Sequence, residues 1–481
     1  MALRGGAAVS CAALVGASAA IVAAPAAEGA ALAAHWHTAF AVPGLQALNA
    51  GGFDGINAVS CGSAGNCSAG GFYRDAAGNT QAFLVREVNS RWGTAFGVDG
   101  LASFTGNGQI NTVSCPSAGN CVAGGHATDG SGNTQAFLVR QANNHWGTAF
   151  KVPGLSTLNG GFATVDAVSC ASAGNCSAGG FYTTPGFPST EQVFLVREVN
   201  GHWGTAFEVD GTAGLNADGN DNFDAMSCAS AGNCAAAGVY RDGSGNTQAF
   251  LVNEVNGHWR TAFEVPGLGA LNTGGRVQVN AGGVSCGSAG NCSVGGFYTD
   301  GNDHSHAFLV RELNGHWGTA FEPDGLATLS EGIDSVTAVS CGSAGNCSAG
   351  GAFLDPSGHF QAFLVSQVNS HWGTAFEVPG SGALNAGGFA SLNAASCASA
   401  GNCSAGGHYV DGVGLIQAFV VAEVNGQWRT AFEMPGSGNL SVGLGGHAQI
   451  LGMSCASAGS CVATGTYGVS GTTQTFLAAK S

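Results

Sequence analysis

Charge is scarce in this chain of 481 residues: only 9% are charged, against the ~25% of a typical soluble domain. Lysine is nearly absent, with Lys151 and Lys480 the only two. Thirteen basic residues against 29 acidic ones give a net charge of −16. Nucleic acids and anionic membranes are recognised through a basic footprint, so neither is expected as a partner. Proline is also sparse, at 11 residues. No apolar run reaches the ~20 residues that cross a bilayer, which argues against a membrane span in the mature chain. Outside the N-terminus no window carries the 3.6-residue apolar period of a helix, so no helices are expected. The motifs G-x-S-x-G, H-E-x-x-H and the P-loop are missing. Low hydrophobicity is not among the shortages: at 45% it argues against disorder.

What the chain has is glycine, cysteine and a repeat. Glycine makes up 82 residues, without a collagen period. Cysteines fall in pairs six positions apart: Cys61 and Cys67, Cys115 and Cys121, Cys170 and Cys176, Cys228 and Cys234, Cys286 and Cys292, Cys341 and Cys347, Cys397 and Cys403, Cys455 and Cys461. The first members are spaced by 54, 55, 58, 58, 55, 56 and 58 residues. Tryptophans keep the same beat, from Trp36 and Trp92 to Trp372 and Trp428. Such a period is longer than the ~40–45 residues of a WD-type blade and near the ~50 of a kelch blade.

The N-terminus resembles a secretory signal peptide over residues 1–33. Arg4 is its positive region, Val9 to Ala24 its apolar core, and Ala24-Pro25-Ala26 or Ala31-Leu32-Ala33 a small-residue cleavage site. Cys11 lacks the leucine that precedes a lipoprotein cysteine. The other 16 cysteines, even in number and regular in an exported chain, read as eight disulfides. Zinc is the rival, but its motifs space cysteines more closely and need four converging ligands.

Each unit holds four strand-like runs. In the unit His258–Asn314 these begin at Trp259, end at Cys286, span Cys292 to Tyr298, and span Ala307 to Leu313. All are short, β-branched or aromatic, and bounded by Gly, Asn or Asp. Asn-Gly pairs such as Asn200-Gly201 predict two-residue type I′ hairpins. That register sets Val199 opposite His202, Val196 opposite Thr205 and Phe194 opposite Phe207. The Cys pair closes a second hairpin. The predicted fold is therefore all-β: an eight-bladed β-propeller of four-stranded antiparallel blades, a single domain over residues 34–481. The chain opens on a tryptophan strand, His35 to Phe40, and closes on Gln474 to Ala478, which lacks one. Their pairing would close the ring, leave no open edge, and favour a monomer.

The run His306-Ala307-Phe308-Leu309 resembles bacterial extracellular HAF repeats; other copies mostly read Gln-Ala-Phe-Leu. The Ser-Cys…Cys element resembles propeller repeats of exported actinobacterial proteins. The resemblance implies an extracellular propeller and says little about activity. The disulfides depart from the usual HAF pattern.

Segment lengths divide the unit. The two hairpins never change length. The stretch from the tryptophan strand to the next Cys runs from 19 positions (Phe96 to Cys115) to 23 (Phe432 to Cys455). The stretch from the second Cys to the next AFLV-type Phe runs from 15 (Cys461 to Phe476) to 18 (Cys176 to Phe194). In an up-and-down meander both variable loops share one face, where binding is expected. Asp75, Asp129, Asp242, Asp300, Asp303, Asp355 and Asp411 all fall there, with turn chemistry as the plain reading. Asp218, Asn220, Asn222 and Asp224 place oxygens at every second residue, the pattern of a short calcium loop, though without the downstream Glu of an EF-hand. The His-Trp pairs (His35, His145, His202, His258, His316, His371) read as packing rather than as ligands. Asn66, Asn175, Asn291, Asn346 and Asn402 match a glycosylation triplet but sit inside the Cys hairpins. The expected function is a secreted binding or scaffold module for a glycan, cell-wall or protein ligand. The alternative is a polysaccharide lyase or glycosidase with carboxylates near the axis, a site for which Arg74 and Arg276 are among the few basic residues at hand.

Overall fold

The computed structural model describes residues 36–101, 107–441 and 446–481. The expected signal peptide, residues 1–33, and His35 lie outside them. The described chain is nearly all β-structure, in repeated four-stranded antiparallel sheets. One unit consists of an inner strand Ala163–Ser172, a second strand Asn175–Thr183, a third Glu191–Val199, and an outer edge made of His202–Trp203 and Phe207–Glu208. Strand order across the sheet follows chain order. One adjacent pair of sheets is joined by a single parallel bridge, Gly282 to Ala338.

All eight Cys pairs are disulfides. This suits an oxidising environment. Cys170 and Cys176 lie directly opposite one another in the register, so the bond spans one hairpin. The Asn-Gly turns adopt the backbone that type I′ demands, with φ of 50° at Asn200 and 82° at Gly201. These turns sit against the Cys hairpins: Gly201 N donates to Gly174 O at 2.8 Å, and Asn200 N to Asn175 Oδ1 at 3.3 Å. The asparagines of the glycosylation-like triplets are thus occupied in holding the two hairpins together.

Two expectations need correction. Val199 does oppose His202, but Phe207 pairs with Leu195, and Phe194 faces Glu208. The outer edge carries one extra residue around Gly204 to Ala206. There the chain leaves its own sheet, and Ala206 N donates to Pro153 O of the preceding unit at 2.8 Å. The same bond recurs from Ala95 to Pro43 and from Ala39 to Pro435. The all-strand expectation also fails in the linkers, where one-turn helices such as Leu45–Leu48 and Leu268–Leu271 bury their first leucine. A four-residue turn is too short to display a helical period.

Units pack face to face. Phe194, Leu195 and Val196 are fully buried. Phe194 and Val196 join Leu138 of the preceding unit, while Leu195 joins Phe250 of the next. The third strand reads as an unbroken apolar run because both of its faces are covered. Trp203 packs into the cluster with Phe194, and Trp259 into the cluster with Phe250, as the packing reading of the His-Trp pairs requires. A polar line runs across the units as well. Cys170 N donates to Ser114 Oγ at 3.0 Å and Cys228 N to Ser169 Oγ at 2.8 Å. The same bond joins the first and last units, where Cys61 N donates to Ser454 Oγ at 3.0 Å. Phe40 and Ala41 pair with Leu477 and Phe476 of the last strand.

Each inner strand also carries a β-bulge. Between Val165 and Ala167 the register slips, leaving Asp166 without a partner. The bulge presses Thr164 O toward the second strand, so that a Cβ on Gly180 would lie 1.9 Å from it. The same clash awaits a side chain at Gly71, Gly125, Gly351 and Gly407, which explains the second glycine of the Gly-Gly step. Gly180→Ala is expected to cost about 3 kcal/mol through overpacking, read as a lowered thermal midpoint. Gly459→Ala, with open space around its Cβ, should stay within about 0.5 kcal/mol of the parent.

Candidate functional site

The bulges converge on one cavity. The slipped residues are Asn57, Asn111, Asp166, Asp224, Thr337, Asn393 and Leu451, with a longer slip between Val279 and Val284 that contains Asn280. A cavity of 540 Å³ takes Asn57, Asn111, Asp166, Asn280, Thr337, Asn393 and Leu451 in its wall, together with Met226 beside the Asp224 bulge. The residue just before each slip points the other way into the core, as with Ile56, Val165, Phe223 and Val336, all at most 1% exposed. A bulge is therefore what turns a polar side chain out of an otherwise apolar strand.

Most of these side chains donate to the neighbouring inner strand. Asn57 Nδ2 reaches Ile110 O at 2.7 Å, Asn111 Nδ2 reaches Val165 O at 3.0 Å, and Asn393 Nδ2 reaches Ile450 O at 2.9 Å. Thr337 Oγ1 donates to Leu392 O, and Asn280 Nδ2 to Val336 O. Asp166, Asp224 and Leu451 interrupt the belt: the two carboxyl groups accept hydrogen bonds within their own surroundings, and leucine has no polar group. Asp166 Oδ1 accepts from Thr164 Oγ1 at 3.0 Å and Asn111 Nδ2 at 3.3 Å. Asp224 Oδ1 accepts from Asn222 Nδ2 at 3.3 Å. The Oδ2 atoms of both are buried without a hydrogen-bond partner. Burial pushes the Asp166 carboxyl up to about 7. Burial, and then the neighbouring Asp166, push Asp224 well above the usual carboxylate range. A carboxyl raised in this way can hold a proton near neutrality, as Asp166 does.

Aromatic residues gather where the inner strands begin. Phe162 stacks on Phe181 with centroids 5.4 Å apart, and His126 lies 6.1 Å from Phe162. Phe389 stacks on His408 at 5.5 Å and meets Phe360 at 5.2 Å. Burial lowers both imidazoles below their ordinary value. Arg74 and Arg276 lie over Phe53 and Phe297, at 5.8 and 5.5 Å. Phe53 and Phe389 keep about two fifths of their surface exposed, at 41% and 42%. A second cavity, of 310 Å³, lies among the disulfide hairpins, but its charges are already paired, Arg197 with Glu254.

The four residues of the calcium pattern fall on the end of a linker and the start of an inner strand. Asn222 and Asp224 share the strand Asp221–Ser230 and touch. Asn220 makes an isolated bridge to Glu191, and Asp218 lies ahead of it in the linker. The acidic loop residues do make turns: Asp75 Oδ1 accepts from the N–H groups of Ala77 and Asn79, both at 2.9 Å. This set of bulge residues escaped sequence reading except for Asp224. Its signal was a polar residue four positions before the first Cys, as at Asn57, Asn111, Asp166, Thr337 and Asn393.

No family model matches the chain, and no curated protein matches it by sequence. Solved structures do match in shape. The β-propeller domain of the Trilobed protease from Pyrococcus furiosus is similar at 6% identity and a TM-score of 0.43, over 77% of this chain and 95% of that one. A polysaccharide lyase of family PL25, an ulvan lyase, is similar at 10% identity and a TM-score of 0.43, over 83% and 96%. The fucose-specific lectin from Aleuria aurantia is similar at 12% identity and a TM-score of 0.32, over 67% and 95%.

Asp166 binds its proton more tightly folded than unfolded, so its contribution to stability falls as pH rises from about 4 to about 7. A rise from 3.8 to about 7 is equivalent to about 4 kcal/mol. The side chain borders an open cavity, so roughly half of that is expected. Asp166→Asn, the amide carried at Asn111 and Asn393, should raise the thermal midpoint at pH 8 and flatten its dependence between pH 4 and 7. An unchanged pH profile would contradict this.

Proposed function

We propose that the repeated sheets form an eight-bladed β-propeller, closed between its last and first units, which is exported and binds carbohydrate across the axial cavity and the variable-loop end. Closure is supported by the hydrogen bond from Cys61 to Ser454, the pairing of Phe40 with Leu477, and the apolar cluster shared by Ile56 and Leu477. The carbohydrate reading is carried by one observation: amides, a hydroxyl and the Asp166 carboxylate, from different units, face one cavity of 540 Å³. Sugar hydroxyls take hydrogen bonds from such groups, while the C–H faces of the ring pack on aromatic side chains. Phe53, Phe162 and Phe389, at the start of their inner strands, supply those faces.

A second reading has its own support. Asp166 and Asp224, both raised and electrically coupled, are the pair that acid-base cleavage of a glycoside would need. One experiment separates the two. The purified protein is passed over a panel of immobilised polysaccharides, and both retention and released product are measured. Retention without product, weakened about tenfold or more by Phe389→Ala, supports the binder. Product release lost in Asp166→Asn and Asp224→Asn supports the enzyme. A folded protein that neither binds nor cleaves any member of the panel overturns both.

Calcium at Asp218, Asn220, Asn222 and Asp224 stands as a separate proposal. Calorimetric titration should show calcium uptake that Asp218→Ala and Asp224→Ala each reduce. Heats that are the same in both variants as in the parent would refute it.

A further inference from the structure

A different cluster stands in the unit whose inner strand is Val277–Ser288. In five other units the loop after the second strand follows one pattern. An Asp accepts backbone N–H groups, a Gly with positive φ follows three positions on, and a Gln six positions on donates to Oδ2 of that Asp. Gln81 reaches Asp75 at 3.1 Å, Gln135 reaches Asp129 at 2.9 Å, and Gln361 reaches Asp355 at 3.0 Å. The loop beginning at Asp300 departs from that pattern at two points, and shares a His four positions on with the loop at Asp355, which carries His359. Asp303 replaces the Gly and is held at a φ of 63°. His304 stands where most copies have Asn. His306 replaces the Gln.

The turn itself survives these changes. Asp300 Oδ1 still accepts from the N–H groups of Asn302 and His304, at 2.8 and 2.9 Å. Oδ2 now faces two imidazoles: His304 Nδ1 and His306 Nε2 each lie 3.6 Å away, and Asn302 Nδ2 lies at 3.5 Å. The three donor atoms lie within 4.8 Å of one another. Ligands bound at ~2.0–2.1 Å around a tetrahedral ion sit about 3.4 Å apart, so both Asp–His spacings are close to what an ion requires. The His304 side chain is half exposed, at 50%, and can close the remaining gap by rotation.

We propose that Asp300, His304 and His306 bind one divalent transition-metal ion of the zinc class. Two imidazoles and a carboxylate suit zinc and its neighbours, whereas calcium and magnesium prefer an all-oxygen shell. Three protein ligands leave at least one coordination position open. His306 borders a cavity of 170 Å³ whose wall also carries Glu322 and Asp334, giving a second molecule access to that position. The turn does not require the histidines, because Asn79 and Gln81 complete the equivalent turn without them.

The test is titration of the full-length, disulfide-bonded protein, free of any affinity tag, with zinc chloride by calorimetry. One site of micromolar affinity is expected. His306→Gln restores the residue of the sister units and should preserve folding, as should His304→Asn; each is expected to weaken zinc about tenfold or more, and the pair together to abolish the site. Cobalt(II) should give visible absorption bands that the double variant lacks. Zinc affinity unchanged in the double variant overturns the proposal, as does the absence of binding by the parent at about 1 mM zinc.

Discussion

One bulge per unit governs much of this molecule. An inner strand pairs with its neighbour across the sheet, yet it carries one residue too many for that pairing. The surplus residue, Asp166 in one unit and Asn57 in another, is expelled from the ladder with its side chain turned away from the core. The displaced carbonyl then needs a partner strand without a side chain at that level, hence Gly180 and Gly71. Where the expelled side chain is an amide or a hydroxyl, as at Asn57 and Thr337, it reaches across to the next inner strand and ties the two units together. A single irregularity of pairing thus sets the second glycine of the Gly-Gly step, the amide belt and the lining of the 540 Å³ cavity.

Around that belt the rest is redundant. Disulfides hold each hairpin, the Asn of the hairpin holds the adjacent Asn-Gly turn, and the Ser before each Cys accepts from the Cys N–H of the following unit. Phe, Leu and Val of the third strand are buried between two units at once. With so many contacts supporting the scaffold, individual positions on the belt are free to carry less favourable residues. Asp166 and Asp224 are such positions. A buried Oδ2 without a partner is destabilising, and at a cavity wall, where Asp166 lies, stability is commonly exchanged for function.

Local chemistry that repeats was legible without coordinates. The period, the Cys hairpins and the type I′ turns all follow from nearest-neighbour rules, and Asn200-Gly201 carries its own conformation. The phase of the outer edge was not legible. Phe207 slipped from Phe194 to Leu195 because Ala206 bonds to Pro153 of another unit, a partner about fifty residues away in the chain. The one-turn helices were hidden for a different reason, since four residues cannot show a period.

The sequence by itself determined that the chain repeats, that its elements are short antiparallel strands, and which residues make its hairpins. These are local matters, decided by backbone sterics and by cysteine spacing. Only the tertiary structure decided which strand lies innermost and which polar residues share a cavity. Asn57 and Asn393 lie far apart in the chain and meet in one wall because the inner strand Ala448–Ser457 packs against both of their strands. Nothing in the composition of either strand records its neighbour. The same holds for Asp300, His304 and His306: adjacent in the chain, they become a cluster only because the turn folds Oδ2 back toward both rings.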